Sequence, residues 1–115
     1  YNDKEGHTAD FNLNLLHRMK KELDADINIS EFSHKAFYNE KLGRVEMHLI
    51  SDTKQGIKIN NLEFSFEKGE SIHTECSYKY SVMEFSELAK KSGFSVLKNW
   101  SDKRNYFGIY LLKAI

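Results

Sequence analysis

The stretch Ser71-Ile-His-Thr-Glu-Cys-Ser-Tyr-Lys-Tyr80 indicates most about how this chain folds and where a site lies. Its alternating pattern is typical of a β-strand, in which successive side chains point to opposite faces. One face is expected to hold Ile72, Thr74, Cys76, Tyr78 and Tyr80, and the other His73, Glu75, Ser77 and Lys79. Glu75 and Ser77 would then stand roughly 7 Å apart and could bind one small polar ligand. The alternative is a solvated polar face without a ligand.

The segments before this stretch also alternate with a period of two residues. Strands are predicted over residues 34–39, 44–51, 57–59 and 62–66. A two-residue hairpin turn is expected at Asn60 and Asn61, because asparagine tolerates positive φ better than most residues. With the segment 71–80, these strands predict an antiparallel meander of about five strands that has one apolar face.

A helix is predicted before the strands, over residues 8–23, with Thr8 as its N-cap. Apolar residues recur every four positions and predict a core-facing stripe of Phe11, Leu15, Met19 and Leu23. Asn12 and Asn14 lie off that stripe. Asparagine is a poor helix former, so the two are either ordinary surface polarity or are present for hydrogen bonding.

A second helix is predicted after the strands. Ser81 and Glu84 have the spacing of a capping box, and Gly93 is expected to end the helix. Residues 94–100 and 105–112 then predict a final strand pair around a polar turn at 101–104. The predicted fold class is therefore α+β: an N-terminal helix, an antiparallel meander of about five strands, then a helix and a C-terminal antiparallel hairpin.

Composition narrows the classes of function. The 115 residues include 17 basic and 17 acidic side chains, so the net charge gives no basis for binding nucleic acid or an anionic membrane. No apolar run approaches the roughly 20 residues that span a bilayer. The single cysteine, Cys76, cannot form an internal disulfide, which suits a cytoplasmic location. A buried structural thiol is favoured over a nucleophile there.

Two further patterns bear on cofactors and metals. The six glycines are well separated, so no glycine-rich loop is expected to bind a nucleotide-type cofactor in these residues. The chain starts at Tyr1 rather than methionine, and we expect it to be part of a larger protein. The five histidines lack metal-ligand spacing, and only strand pairing could gather them, so no metal site is predicted.

Several motifs, in order, resemble the histidine-specific, S-adenosylmethionine-dependent methyltransferase family, whose best-known member makes trimethylhistidine on the way to ergothioneine. The helix motif "TAxFNxNxL" matches residues 8–16, and "ELDADFD" matches residues 22–27. The strand motifs "RIEMHL" and "GExIxTExSxKY" match residues 44–49 and 69–80. The closing "AGF…W-x-D" resembles the segment from Ala89 to Asp102. The match extends over nearly the whole chain.

The resemblance implies roles for particular residues. Glu75 and Ser77 would hold the imidazole of a histidine substrate, Met47 would pack against it, and Tyr1 would lie near its amino-acid backbone. Residues 1–80 would form the substrate-recognition lobe, and residues 81–115 the last helix and hairpin of the cofactor lobe. S-adenosylmethionine would be bound mainly by a preceding portion of the protein, so this chain alone is expected to be inactive.

Alternatives remain open at this point. Relatives in the family methylate other amino acids, including a prenylated tryptophan, so the expected substrate is a small-molecule amino acid that need not be histidine. A catalytically inactive homologue, or a module that binds an amino acid or peptide, is a different class of function with the same residues. Self-association is also expected if a sheet edge or apolar surface lies uncovered.

Overall fold

The computed structural model describes all 115 residues, Tyr1–Ile115. The elements are α1 (His7–Glu22), a single 3-10 turn (Ile29–Glu31), β1 (Phe32–Asn39), β2 (Arg44–Ser51), β3 (Gln55–Ile59), β4 (Leu62–Phe66), β5 (Ser71–Tyr78), α2 (Val82–Lys91), β6 (Phe94–Ser101) and β7 (Gly108–Ala114). This order confirms the predicted α+β class. Neither helix is long and apolar enough to cross a membrane. The chain divides into two compact units, residues 1–78 and 79–115, which are described in turn.

The first unit contains the five strands that follow α1. They form a three-stranded antiparallel sheet in the order β1-β2-β5 and a separate hairpin of β3 and β4. The hairpin turns at Asn60, whose φ of 54° is the left-handed conformation expected there. The core lies between α1 and the sheet, where Leu16 and Leu49 are fully buried beside Phe32 and Ile57. We call the side of the sheet that carries Leu49 the helix-side face, and the other the far face.

A β-bulge at Thr74 changes the alternation of β5. Met47 of β2 pairs with Glu75, but the next residue, His48, pairs with His73, so Thr74 is an extra residue without a partner across the ladder. Directly paired residues point to the same face. Beyond the bulge the two faces of β5 therefore exchange relative to strict alternation.

The bulge corrects part of the predicted distribution of side chains. Glu75 and Ser77 do share a face, as predicted, since they pair with Met47 and Val45 on the helix side. Ile72, which pairs with Leu49, lies on this same face rather than on the opposite one. His73 lies on the far face with Cys76 and Tyr78, not with Glu75.

The buried face of α1 also differs from the prediction. Phe11 is 70% exposed, and Leu15 and Leu23 are exposed as well, whereas Leu16 and the polar Asn12 are buried. The helix is thus rotated so that the side of Asn12 faces the sheet. The physical reason is that the sheet offers hydrogen-bond partners to the Asn12 amide, which a prediction from apolar periodicity does not consider.

The N-terminus of α1 is capped from outside the helix. Gly6 rather than Thr8 is the N-cap residue, and its φ of 74° is left-handed. The carboxylate of Asp3 accepts hydrogen bonds from the backbone N–H groups of His7 and Thr8, at 3.0 and 3.1 Å. These bonds, the one from Thr8 first, lower the pKa of Asp3 to about 2.

Acid should remove this cap. Because the folded pKa lies below the unfolded value, ionised Asp3 stabilises the fold above pH 4 or so, and this contribution is lost as the pH falls toward 2. We expect Asp3→Asn to unfold at a lower temperature than the parent at pH 6, with the difference disappearing near pH 2. Thermal denaturation followed by circular dichroism checks this. Asp10→Asn, in the first turn of α1, is the control; a difference that persists at pH 2 would contradict the prediction.

In the second unit, α2 begins with the predicted capping box. Ser81 Oγ accepts from the Glu84 N–H, and the Glu84 carboxylate accepts from the Ser81 N–H, each at 3.1 Å. The helix stops before Gly93, whose φ is 89°. The strands β6 and β7 pair antiparallel, as predicted.

The turn between β6 and β7 is longer than predicted. The carboxylate of Asp102 accepts from the N–H groups of Tyr106 and Phe107, at 2.7 and 3.0 Å. These amides are therefore engaged in the turn, and β7 begins at Gly108 rather than at Asn105. The bond from Phe107, followed by those from Tyr106 and Arg104, lowers the pKa of Asp102.

Candidate functional site

Glu75 and Met47 form the centre of the candidate site. They are directly opposite each other on β5 and β2, and both point to the helix-side face. Met47 is 3% exposed, while Glu75 is exposed. This pairing sets a carboxylate beside the apolar side chain of a packed methionine, an arrangement suited to a ligand that has both a polar group and an apolar body.

A cavity of about 360 Å³ opens beside this pair. It is lined by Tyr1, His7, Thr8, Phe11, Met47 and Glu75. Three of the four residues predicted for the site thus border the same space. Ser77, the fourth, is half-buried on the same face two residues further along β5 but is not among the lining residues.

A second cavity of about 220 Å³ lies further along α1. It is lined by Phe11, Asn12, Asn14, Leu15, Arg18, Thr74 and Glu75. Phe11 and Glu75 border both spaces. The exposed Phe11 and Leu15, which were predicted to face the core, therefore border cavities along the helix instead, and Glu75 is the acidic group that both cavities share.

Asn12 connects α1 to the strands that carry the site. Its Nδ2 donates to His34 Nδ1 at 2.9 Å and to the backbone carbonyl of His48 at 3.2 Å. Its Oδ1 accepts from the hydroxyl of Thr74 at 2.6 Å. That hydroxyl also lies 3.1 Å from the Met47 carbonyl. A single buried amide therefore fixes the bulge residue next to Glu75 and both neighbouring strands.

This network extends to Tyr1. Because Asn12 donates to Nδ1 of His34, that nitrogen acts as the acceptor, and the proton of the neutral ring belongs on Nε2. His34 Nε2 can then donate to the backbone carbonyl of Tyr1, 3.1 Å away. The N-terminal residue is thereby held beside the cavity that it lines.

Sequence reasoning assigned Asn12 no role in the site. The sequence signal for such a role was the presence of two asparagines early in one helix, for which hydrogen bonding was one of two interpretations. The rotation of the helix decides which asparagine forms buried hydrogen bonds. Asn12 is buried, whereas Asn14 is exposed at the edge of the second cavity.

Cys76 is exposed, so the expectation of a buried thiol is wrong. The bulge is the reason. It places Cys76 opposite Glu46 on the far face, whereas the prediction grouped it with Ile72, which faces the core.

The far face carries a charged and aromatic cluster. The buried carboxylate of Glu46 accepts from Arg44 Nε at 2.8 Å and from Asn39 Nδ2 at 3.0 Å, and its other oxygen lies 3.0 Å from His48 Nε2. Bonding to His48 first, then to Arg44 and Asn39, lowers the pKa of Glu46 to about 2. The ring of His48 stacks between those of Phe37 and His73, with centroids 5.3 and 4.5 Å away.

Comparison with known proteins identifies sequences similar to this chain. A family model described as "Histidine-specific methyltransferase, SAM-dependent" matches residues 1–114. Histidine N-alpha-methyltransferases of Mycobacterium tuberculosis and Mycolicibacterium smegmatis are 33% and 34% identical to the chain over 113 residues. Each alignment covers 96% of this chain and 35% of the relative, so the chain spans about a third of the length of these proteins.

A more distant relative has a different substrate in its name. An L-tryptophan methyltransferase of Psilocybe serbica is 28% identical over 87 residues, which is 75% of this chain and 24% of the relative. The similarity thus includes proteins named for two amino acids, both of which have a planar, nitrogen-containing ring as the side chain.

Proposed function

Because this chain belongs to the histidine-specific, S-adenosylmethionine-dependent methyltransferase family, we propose that it supplies the side-chain anchor for histidine in an amino-acid Nα-methyltransferase. The observation that carries the proposal is the direct pairing of Glu75 with Met47 at a cavity that Tyr1 also lines. The chain is proposed to be the C-terminal part of that enzyme.

The chemistry of these side chains suits an imidazole ring. An ionised Glu75 can accept a hydrogen bond from a ring N–H, and the Ser77 hydroxyl can serve the other ring nitrogen. Met47 offers a soft, polarisable surface to the face or edge of the ring. The cavity of about 360 Å³ is within the usual size range of small-molecule sites.

Anchoring the side chain contributes to methyl transfer from a distance. The α-amine has to be deprotonated and aligned with the methyl group that S-adenosylmethionine supplies when bound. Holding the imidazole end fixes the orientation of the amine and lowers the entropic cost of reaching that alignment. Residues of this chain therefore act on the position of the substrate rather than on the reacting bond.

The same proposal assigns different roles to the two parts of the chain. Residues 1–80 would recognise the substrate, and residues 81–115 would belong to the cofactor lobe. The glycines of this chain are widely spaced and form no glycine-rich loop of the kind that binds nucleotide-type cofactors. We therefore propose that S-adenosylmethionine is bound mainly by portions of the protein outside this chain. The chain alone would then bind histidine without methylating it, and we propose a cytoplasmic location for the enzyme.

The decisive test is mass spectrometry of the products formed by the full-length protein from S-adenosylmethionine and a pool of the twenty amino acids. Mass gains of methyl units on histidine alone are expected. Methylation of a different amino acid would keep the family but refute the histidine anchor. If no methylated product forms while the chain still binds an amino acid, the protein is a binding module and the proposed activity is wrong.

A further inference from the structure

The far face of the sheet gathers two histidines and a carboxylate that the proposed function does not use. Glu46 and His48 are two residues apart on β2, and the bulge at Thr74 places His73 of β5 directly opposite His48. Ligand atoms of the three side chains lie within 4.8 Å of one another. Strand pairing thus brings together histidines whose spacing in the sequence shows no metal motif. We propose that Glu46, His48 and His73 bind a divalent transition-metal ion of the zinc class.

The donor set and its spacing support this proposal. Two imidazole nitrogens and one carboxylate oxygen form a ligand set that zinc uses, with a fourth position left to water. Around a tetrahedral ion with bonds of 2.0–2.1 Å, adjacent ligand atoms are about 3.3 Å apart. His48 Nε2 and Glu46 Oε1 lie 3.0 Å apart. A small rearrangement therefore admits an ion where a proton now bridges the two atoms.

Surrounding groups hold two of the ligands in place. Glu46 Oε2 is engaged by Arg44 and Asn39, which leaves Oε1 to face His48. The opposite ring nitrogen of His48, Nδ1, lies 3.0 Å from Ser71 Oγ. Such contacts to the non-ligating atom fix the orientation of a metal-binding histidine and carboxylate.

His73 is the ligand that has to move. Its ring is stacked on that of His48 at an interplanar angle of 14°, so the nitrogens of the two rings do not converge on one point. His73 is exposed, and its Nε2 is hydrogen-bonded to the Glu75 carbonyl at 3.1 Å. Rotation about its χ angles gives up that bond and the stacking, and directs a nitrogen toward the ion. The ion then links β2 to β5 beside the bulge.

The test is isothermal titration of the 115-residue chain with Zn²⁺ in a buffer that does not chelate metals. We expect one ion per chain and a higher unfolding temperature with Zn²⁺, since an ion that binds only the folded state stabilises it. His73→Ala should weaken binding by about tenfold or more, because even loss of an outer contact costs that much at metal sites. It is preferred to a change at His48, which is packed between two rings.

His17→Ala is the matched control, since His17 is an exposed histidine on α1. It should leave zinc affinity unchanged. Nitrogen NMR of the imidazoles should also show zinc-dependent shifts at His48 and His73. Equal zinc affinity in the parent and in His73→Ala would overturn the proposal, as would zinc-dependent shifts confined to other histidines. Methylation of histidine does not enter this test, so it can fail or succeed independently of the proposed enzyme activity.

Discussion

Replacing Glu75 with alanine is expected to lower kcat/KM for histidine methylation by about 10- to 150-fold. A hydrogen bond to a charged group contributes roughly 1.5–3 kcal/mol, which corresponds to this range. Glu75 offers the acidic group at the cavity that Tyr1 and Met47 line, so no other carboxylate of that lining can replace it. Steady-state kinetics of the full-length protein, with histidine varied at saturating S-adenosylmethionine, measure the effect.

Two further variants separate anchoring from general damage. Glu75→Gln keeps the shape and one acceptor oxygen, so a smaller loss is expected. Glu70→Ala removes an exposed carboxylate just before β5 and should behave as the parent does. If Glu75→Ala retained parental kcat/KM for histidine, Glu75 would not be the anchor, and the cavity would need another ligand or another polar contact.

Replacing Asn12 with alanine is expected to destabilise the first unit by about 2–4 kcal/mol. The change removes three hydrogen bonds and leaves the Thr74 hydroxyl and the His48 carbonyl without their buried partner. The unfolding temperature should fall by roughly 10 °C or more. Thermal denaturation of the chain, together with hydrogen exchange of the β5 amides, measures both the loss and its location.

Asn14→Ala on the same helix provides the matched control, because Asn14 is exposed and lines only the rim of the second cavity. It removes an asparagine of equal helix propensity, so the difference between the two variants isolates the buried network. Identical unfolding temperatures for Asn12→Ala and Asn14→Ala would show that the hydrogen bonds of Asn12 contribute no net stability.

The elements of the fold were predictable because local chemistry specifies them. Each of these local signals involves only a few neighbouring residues: the capping box of Ser81 and Glu84, the asparagine turn at Asn60 and the alternation of β2. The length of the turn after β6 was not predictable in the same way. It depends on which amides the Asp102 carboxylate engages, and several backbone conformations of that segment satisfy the same residue pattern.

The relative orientation of Glu75 and Ser77 was predictable, whereas the surroundings of the candidate site were less so. Glu75 and Ser77 follow strict alternation between themselves, so their shared face could be read from the sequence. The position of His73 could not, since the bulge that reverses its face arises from pairing with β2. Burial of Asn12 likewise depends on partners that come from three strands distant in sequence.

The bulge at Thr74 is one extra residue in β5, and it keeps Ile72 and Glu75 on the same face although they are three positions apart. Removing Thr74 would restore simple alternation with β2 and leave Ile72, Glu75 and Ser77 on the helix-side face, but it would remove the hydroxyl that donates to Asn12. Loss of this residue is therefore expected to weaken the connection between α1 and β5 while Glu75 keeps its orientation toward the cavity.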